Sequence, residues 1–210
     1  MVLIAIGVAA VFWFFLFSPW PELAATIHHH YFWPAMTTAT VVLSGISIVA
    51  QRGEWKRLLK FSWRFVGIGI AHATVLYVLS RIGVVVITWL LGSWASTQLH
   101  AIYQTREQAP AALIALLLLF LIGPSEEIFW RGYLQDRFMK KFGARNGFIL
   151  AAALYMGVHI WAMNPLLLLA ALVLGAHWGY LFRRFGSIVP GLISHALWDT
   201  TIFVLLPIQV

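Results

Sequence analysis

The 210-residue chain is 61% hydrophobic and only 10% charged, with a net charge of +7, eleven tryptophans and no cysteine. A soluble domain wets its surface with about a quarter charged residues, so this composition excludes an ordinary soluble protein and makes lipid the solvent for most of the chain. The lack of cysteine excludes a disulfide framework, a thiol nucleophile and a cysteine metal site.

A hydrocarbon core of about 30 Å takes roughly 20 apolar residues in a helix. In chain order the apolar runs predict seven spans, at 1–18, 35–50, 62–93, 110–136, 147–163, 166–182 and 188–208. The expected fold is an all-α, polytopic transmembrane helix bundle forming one membrane domain over residues 1–210. The first run lacks a basic stretch ahead of it and is long, so it reads as a retained span rather than a signal peptide. The third would extend about 48 Å as one helix, so it either tilts or leaves the hydrocarbon, and Arg81 marks the place for a break or inward turn. Within it, Gly67, Gly69, Ala71 and Ala73 read as a close helix contact. The fourth carries Gly123-Pro124, where proline removes a backbone hydrogen bond and bends the helix.

The positive charge sits between the apolar runs, which argues against a nucleic-acid partner. Arg52, Lys56, Arg57, Lys60, Arg137, Lys140, Lys141, Arg145, Arg183 and Arg184 all fall in alternate connections. The other connections, 19–34, 94–109 and 164–165, hold only Arg106. The positive-inside rule then places the basic set and the N-terminus in the cytoplasm. Trp20, Trp33, Trp55, Trp94 and Trp161 fall near span ends, where an amphipathic ring suits the headgroup level. The His28-His29-His30 run reads as a polar outer loop.

Ionisable side chains inside a membrane are costly and usually mark function. The spans hold Glu126, Glu127 and Arg131 after the Pro124 bend, His159 on the fifth span, and His195 and Asp199 on the seventh. Counted from the basic boundaries at helical rise, Glu126, Glu127, His159, His195 and Asp199 lie at depths of about 11–18 Å, so three separate spans bring them to nearly one level. Glu127 and Arg131, and likewise His195 and Asp199, are four residues apart and share a helix face. Glu126 is then the carboxylate without a local partner. His72, His177, Arg64 and Arg81 match no pattern and read as structural, Arg64 as a side chain reaching the surface.

No His-Glu-x-x-His stretch offers a zincin site, and Ser125 has no sequence feature that would activate it. What remains is a carboxylate and a histidine able to polarise a water, with further polar groups to stabilise an oxyanion. Hydrolysis of a carbonyl by an activated water is the natural reading.

At these positions the sequence resembles a known family. Glu126-Glu127-Ile128-Phe129-Trp130-Arg131 resembles the E-E-x-x-x-R motif of the CAAX-protease and bacteriocin-processing (CPBP, or ABI) intramembrane proteases. His195-Ala196-Leu197-Trp198-Asp199 is similar to their H-x-x-x-N/D motif, and Tyr155-Met156-Gly157-Val158-His159 to F-x-x-x-H. The resemblance covers roughly residues 110–202 as a catalytic core; the first three spans carry no motif. It implies an intramembrane glutamic endopeptidase without a cofactor or metal. Glu126 would be general base, His159 would hold and activate the water, His195 and Asp199 would stabilise the oxyanion, and Glu127 and Arg131 would position the motif helix. The implied partners are the bilayer and a peptide or membrane-protein substrate, prenylated in the founding members. The implied setting is a prokaryotic plasma membrane with the site open to the cytoplasmic side. Tyr155 replaces the usual Phe and adds a hydroxyl near the water. Asp199 stands where Asn is common; ionised, it would repel an oxyanion, so it is either protonated or orients and charges His195. Two other readings compete: a catalytically silent immunity or scaffold protein of the same fold, and a zinc-dependent hydrolase using Glu126, Glu127, His159 and His195.

Overall fold

The computed structural model describes residues 1–208, and among these every regular element is a helix. In chain order they are α1 (Val2–Phe17), α2 (Glu22–His30), α3 (Phe32–Ala50), a single turn α4 (Trp55–Leu58), α5 (Trp63–Leu91), α6 (Ser93–Tyr103), α7 (Ala111–Phe142), α8 (Ala144–Val158), α9 (Pro165–Phe185) and α10 (Val189–Leu205).

All seven apolar runs are helical, but by length four helices of the described residues suffice to cross a membrane: α3, α5, α7 and α9. A fifth results if α1 and α2, bent by 74° at a break, are taken as one span. The protein is therefore an integral membrane helix bundle. The first run ends early because Pro19 and Pro21 lack the N–H donors a continuing helix needs and bias the preceding residues away from it. The fifth run is a 15-residue helix, α8, about 23 Å long, which tightens into a 3₁₀ turn at His159–Ala162.

The expected break at Arg81 does not occur. α5 runs unbroken for 29 residues, capped by the Ser62 hydroxyl accepting from the Phe65 amide, and Arg81 is exposed on its surface. Of its four small residues, Gly69 and Ala73 face the bundle. A Cβ on Gly69 would lie 2.7 Å from Ile193 Cβ and 2.9 Å from the Pro190 carbonyl, so α5 and α10 touch backbone to backbone there. Gly67 and Ala71 lie on the outward face, because residues two apart on a helix point to different sides.

The main core packs α1, α3, α7 and α8 around Trp13, Leu16, Leu43, Ile114, Ile122, Phe129, Trp130 and Leu134. Lipid is as apolar as leucine, so close packing and interhelical hydrogen bonds, the latter about 0.6 kcal/mol each on average, hold such a bundle. Turns are made where sequence chemistry demands: Gly143 and Gly186, with φ of 82° and 67°, end α7 and α9. The Asn164 carboxamide caps α9 by accepting from the Leu166 and Leu167 amides.

The two ends of the bundle differ. At one end the basic 51–60 segment lies over the end of α7. Gln51 donates to the Gly132 carbonyl and to Asp136, Asp136 also pairs with Arg57 and Lys140, and Arg137 donates to Gln51 and the Ala50 carbonyl. The Ser187 hydroxyl and Ile188 amide donate to the Leu58 carbonyl, and Leu58 is buried against Phe182 and Ile188. At the other end, Gln108 links the Phe32 amide to the His28 carbonyl, Trp33 donates to Thr105, and Asn164 donates to Gln98.

Candidate active site

The site is built on a distortion of α7. Two π-helical stretches, Leu118–Ile122 and Ile128–Gln135, flank the short α-helical piece Gly123–Glu127. Such wide turns are rare within α-helices and are frequently found at functional sites. The expected bend at Pro124 is thus accommodated within one continuous helix. Gly123 lets α10 approach: a Cβ there would meet Ala196 Cα at 3.1 Å. This crossing brings the two glutamates beside His195.

Glu127 is fully buried and is held by donors from two side chains. Its Oε1 accepts from Arg131 Nη1 at 2.7 Å and from His195 Nδ1 at 2.9 Å. Arg131 also donates to the Gly175 carbonyl and lies over the rings of Tyr155 and Trp178. His195 Nε2 is 3.2 Å from Asp199 Oδ2, so a carboxylate oxygen lies against each nitrogen of the ring. The Trp178 indole stacks on that ring, with centroids 3.7 Å apart and planes 13° from parallel, and donates to Ser194. Arg131, Glu127, His195 and Asp199 therefore form one continuous polar chain across α7 and α10. An unpaired charge in such a place would cost several kcal/mol. Gly191 leaves room for this arrangement, since a Cβ there would sit 2.9 Å from Glu127 Oε2.

Glu126 behaves differently. Among the described residues no cation lies within ion-pair distance of it, and it accepts a hydrogen bond from the Tyr155 hydroxyl at 3.1 Å. It lines a mostly apolar cavity of about 190 Å³ together with Asp199. Tyr155 also connects Glu126 to His159, because the Tyr155 carbonyl accepts from His159 Nδ1 at 2.7 Å. The other ring nitrogen, Nε2, accepts from the Trp13 indole N–H at 3.2 Å. A carbonyl only accepts and an indole N–H only donates, so these partners specify the neutral Nδ1–H tautomer of His159.

All six residues singled out from the sequence are thus gathered, in two linked groups. Two contributors and one contact were not legible. Trp13 lies in an apolar run with no polar cue, Trp178 carries no motif, and nothing in the spacing said that Glu127 would bridge Arg131 and His195. His72 and His177, read as structural, pair with each other across α5 and α9 at 3.1 Å. His28–His30 form the end of helix α2 rather than a loop. The cavity also departs from expectation. Its lining includes Phe17, His28, Phe32, Ala101, Thr105 and Asn164, so it lies toward the end away from the basic loops and their Gln51–Asp136 network.

A search of curated proteins and a search of solved structures each found no match. A scan of family models matched residues 108–201 to one described as type II CAAX prenyl endopeptidase Rce1-like. That segment includes both π-helical turns of the site, the glutamate pair and both histidines. Over that segment, which is less than half of the chain, the sequence is similar to the Rce1-like type II CAAX prenyl endopeptidases.

Proposed function

We propose that the protein is a glutamate-dependent endopeptidase of a prokaryotic plasma membrane, with seven membrane crossings, the N-terminus and basic loops inside, and a peptide or membrane-protein substrate. The observation that carries this reading is the contrast between adjacent carboxylates: Glu127 is consumed by Arg131 and His195, whereas Glu126 faces the cavity. Glu126 takes a proton from a water held near His159, and the water oxygen attacks the scissile carbonyl. His195, held through Nδ1 by Glu127 and stacked on Trp178, turns its Nε2–H from Asp199 to the developing oxyanion. Glu126 then returns the proton to the leaving amine. Asp199 acts by orienting and charging His195, consistent with their 3.2 Å contact.

The test uses purified protein with chelator present and a quenched peptide library, with and without isoprenylation. Wild type cleaves and Glu126→Gln and folded His159→Ala do not; undiminished cleavage by Glu126→Gln would remove Glu126 from the role of base. The two library halves decide whether prenylation is required. Asp199→Asn lowers turnover if the residue charges His195, and full activity in that variant would instead assign it an amide-like role.

One contact favours a second reading, a catalytically silent scaffold or immunity protein. The Trp13 indole occupies the lone pair of His159 Nε2 that a water would use. Activity of the wild type decides against it. A zinc hydrolase would need three ligands converging on one ion, and no group of three His, Asp or Glu side chains among the described residues is so placed.

A further inference from the structure

Glu126 has a partner that the mechanism has not used. We propose that Tyr155 is a positioning residue for the base: its hydroxyl holds Glu126 Oε2, so that Oε1 is the oxygen left to take the proton of the attacking water. This rests on the protease reading above.

Three observations carry it. First, among the described residues the Tyr155 hydroxyl is the one hydrogen-bond partner of the Glu126 side chain, 3.1 Å from Oε2. An ionised carboxylate only accepts, so the hydroxyl donates. Held by one oxygen, the carboxyl is fixed in rotation, and Oε1 stays without a protein partner in a residue that lines the cavity. Second, the ring that carries the hydroxyl is itself fixed. Tyr155 is buried, the Trp130 ring meets it edge-on with planes 89° apart, and the Arg131 guanidinium lies 4.7 Å over it. A Cβ on Gly175 would lie 2.7 Å from Tyr155 Cδ1, so the backbone of α9 lies close against one ring edge. Third, the main chain of the same residue holds His159, whose Nδ1 donates to the Tyr155 carbonyl at 2.7 Å. One residue thereby sets both the base and the imidazole beside the water. The contact also survives the chemistry. When Glu126 takes the proton at Oε1, Oε2 becomes the carbonyl oxygen and still accepts from the hydroxyl. Tyrosine gains and loses no proton, so it orients the base without competing with it.

Phenylalanine would pack the same ring and leave Glu126 without a donor, so Tyr155→Phe isolates the hydroxyl. Wild type, Tyr155→Phe, Glu126→Gln and the double variant are purified in detergent and compared by infrared difference spectroscopy and by cleavage of the quenched peptides. The chain has only seven acidic residues, so the Glu126 carboxyl band is found as the one missing from Glu126→Gln. In Tyr155→Phe that band moves, and in the Glu126→Gln background the same substitution changes nothing in the carboxyl region. With the folded state retained in a thermal melt, kcat falls about 10–100-fold at unchanged KM, the worth of one hydrogen bond to a charged group. The reverse measurement needs no change at Tyr155: the C–O band of one of the six tyrosines moves in Glu126→Gln. A Glu126 band at its wild-type frequency in folded Tyr155→Phe overturns the proposal, as do tyrosine bands unmoved in Glu126→Gln. Full kcat in a variant whose band has moved overturns it too. The bands are read without catalysis, so a failed protease reading appears separately, as an inactive wild type in which both band shifts persist.

Discussion

The two longest helices, α5 and α7, have the same mean hydropathy of 2.0, yet only 6% of the α5 span is buried in the bundle against 44% of α7. α5 touches the bundle along one line through Gly69, Ala73 and Leu76 and presents Val78, Leu79, Val85 and Trp89 outward. α7 is enclosed by α1, α3, α8 and α10 and carries the glutamates. Hydropathy therefore reports that a helix lies in lipid, and not whether lipid or protein surrounds it. The polar residues of α7 are what require enclosure, because lipid has no groups to satisfy them.

The largest expected effect tests whether α7 is the working helix. Glu126→Gln lowers peptide cleavage by about 10²–10⁴-fold, the usual worth of a general base, with the folded state retained in a thermal melt. Next is the structural demand of the same helix. Arg131→Ala leaves Glu127 buried and partly unpaired and destabilises the protein by roughly 3–5 kcal/mol; a melt unchanged from wild type would show that Glu127 is held by His195 alone. A matched pair then addresses enclosure directly. Leu134→Ala, on α7 at 0% exposure, costs about 2–5 kcal/mol. Leu79→Ala, on α5 at 56% exposure, stays within about 0.5 kcal/mol. Equal losses would mean that α5 is covered by another chain in the membrane.

The smallest effect concerns the basic end. Hydrogen bonds from Arg57 and Lys140 hold the exposed Glu54 carboxyl below its ordinary range. A carboxylate depressed on folding contributes stability above its unfolded pKa and loses it as pH falls through the folded value. Glu54→Gln is thus slightly less stable than wild type near neutrality, and the difference closes in acid. A difference that widened in acid would reverse the assignment.

Much of the site was legible because intramembrane charge is rare enough to be informative residue by residue. The i, i+4 spacing of Glu127 with Arg131 and of His195 with Asp199 implied both contacts, and both are made. The agreement in depth of Glu126, His159 and His195 implied convergence, which Tyr155 and Glu127 provide. The length of α5 suggested a break at Arg81 that is absent, since an exposed arginine at a helix surface disturbs no backbone hydrogen bond. Trp13 was invisible because an apolar run offers no sign of which indole N–H will find an acceptor.

The sequence alone determined the solvent, the helical runs, the basic face and the identity of the polar residues, because each follows from local composition and helical period. Only the tertiary structure decided which helix is enclosed, that α1 delivers Trp13 to His159, and which end of the bundle the cavity occupies. Those depend on helix crossings such as Gly69 with Ile193 and Gly123 with Ala196, contacts between residues more than 70 positions apart, which no local pattern encodes.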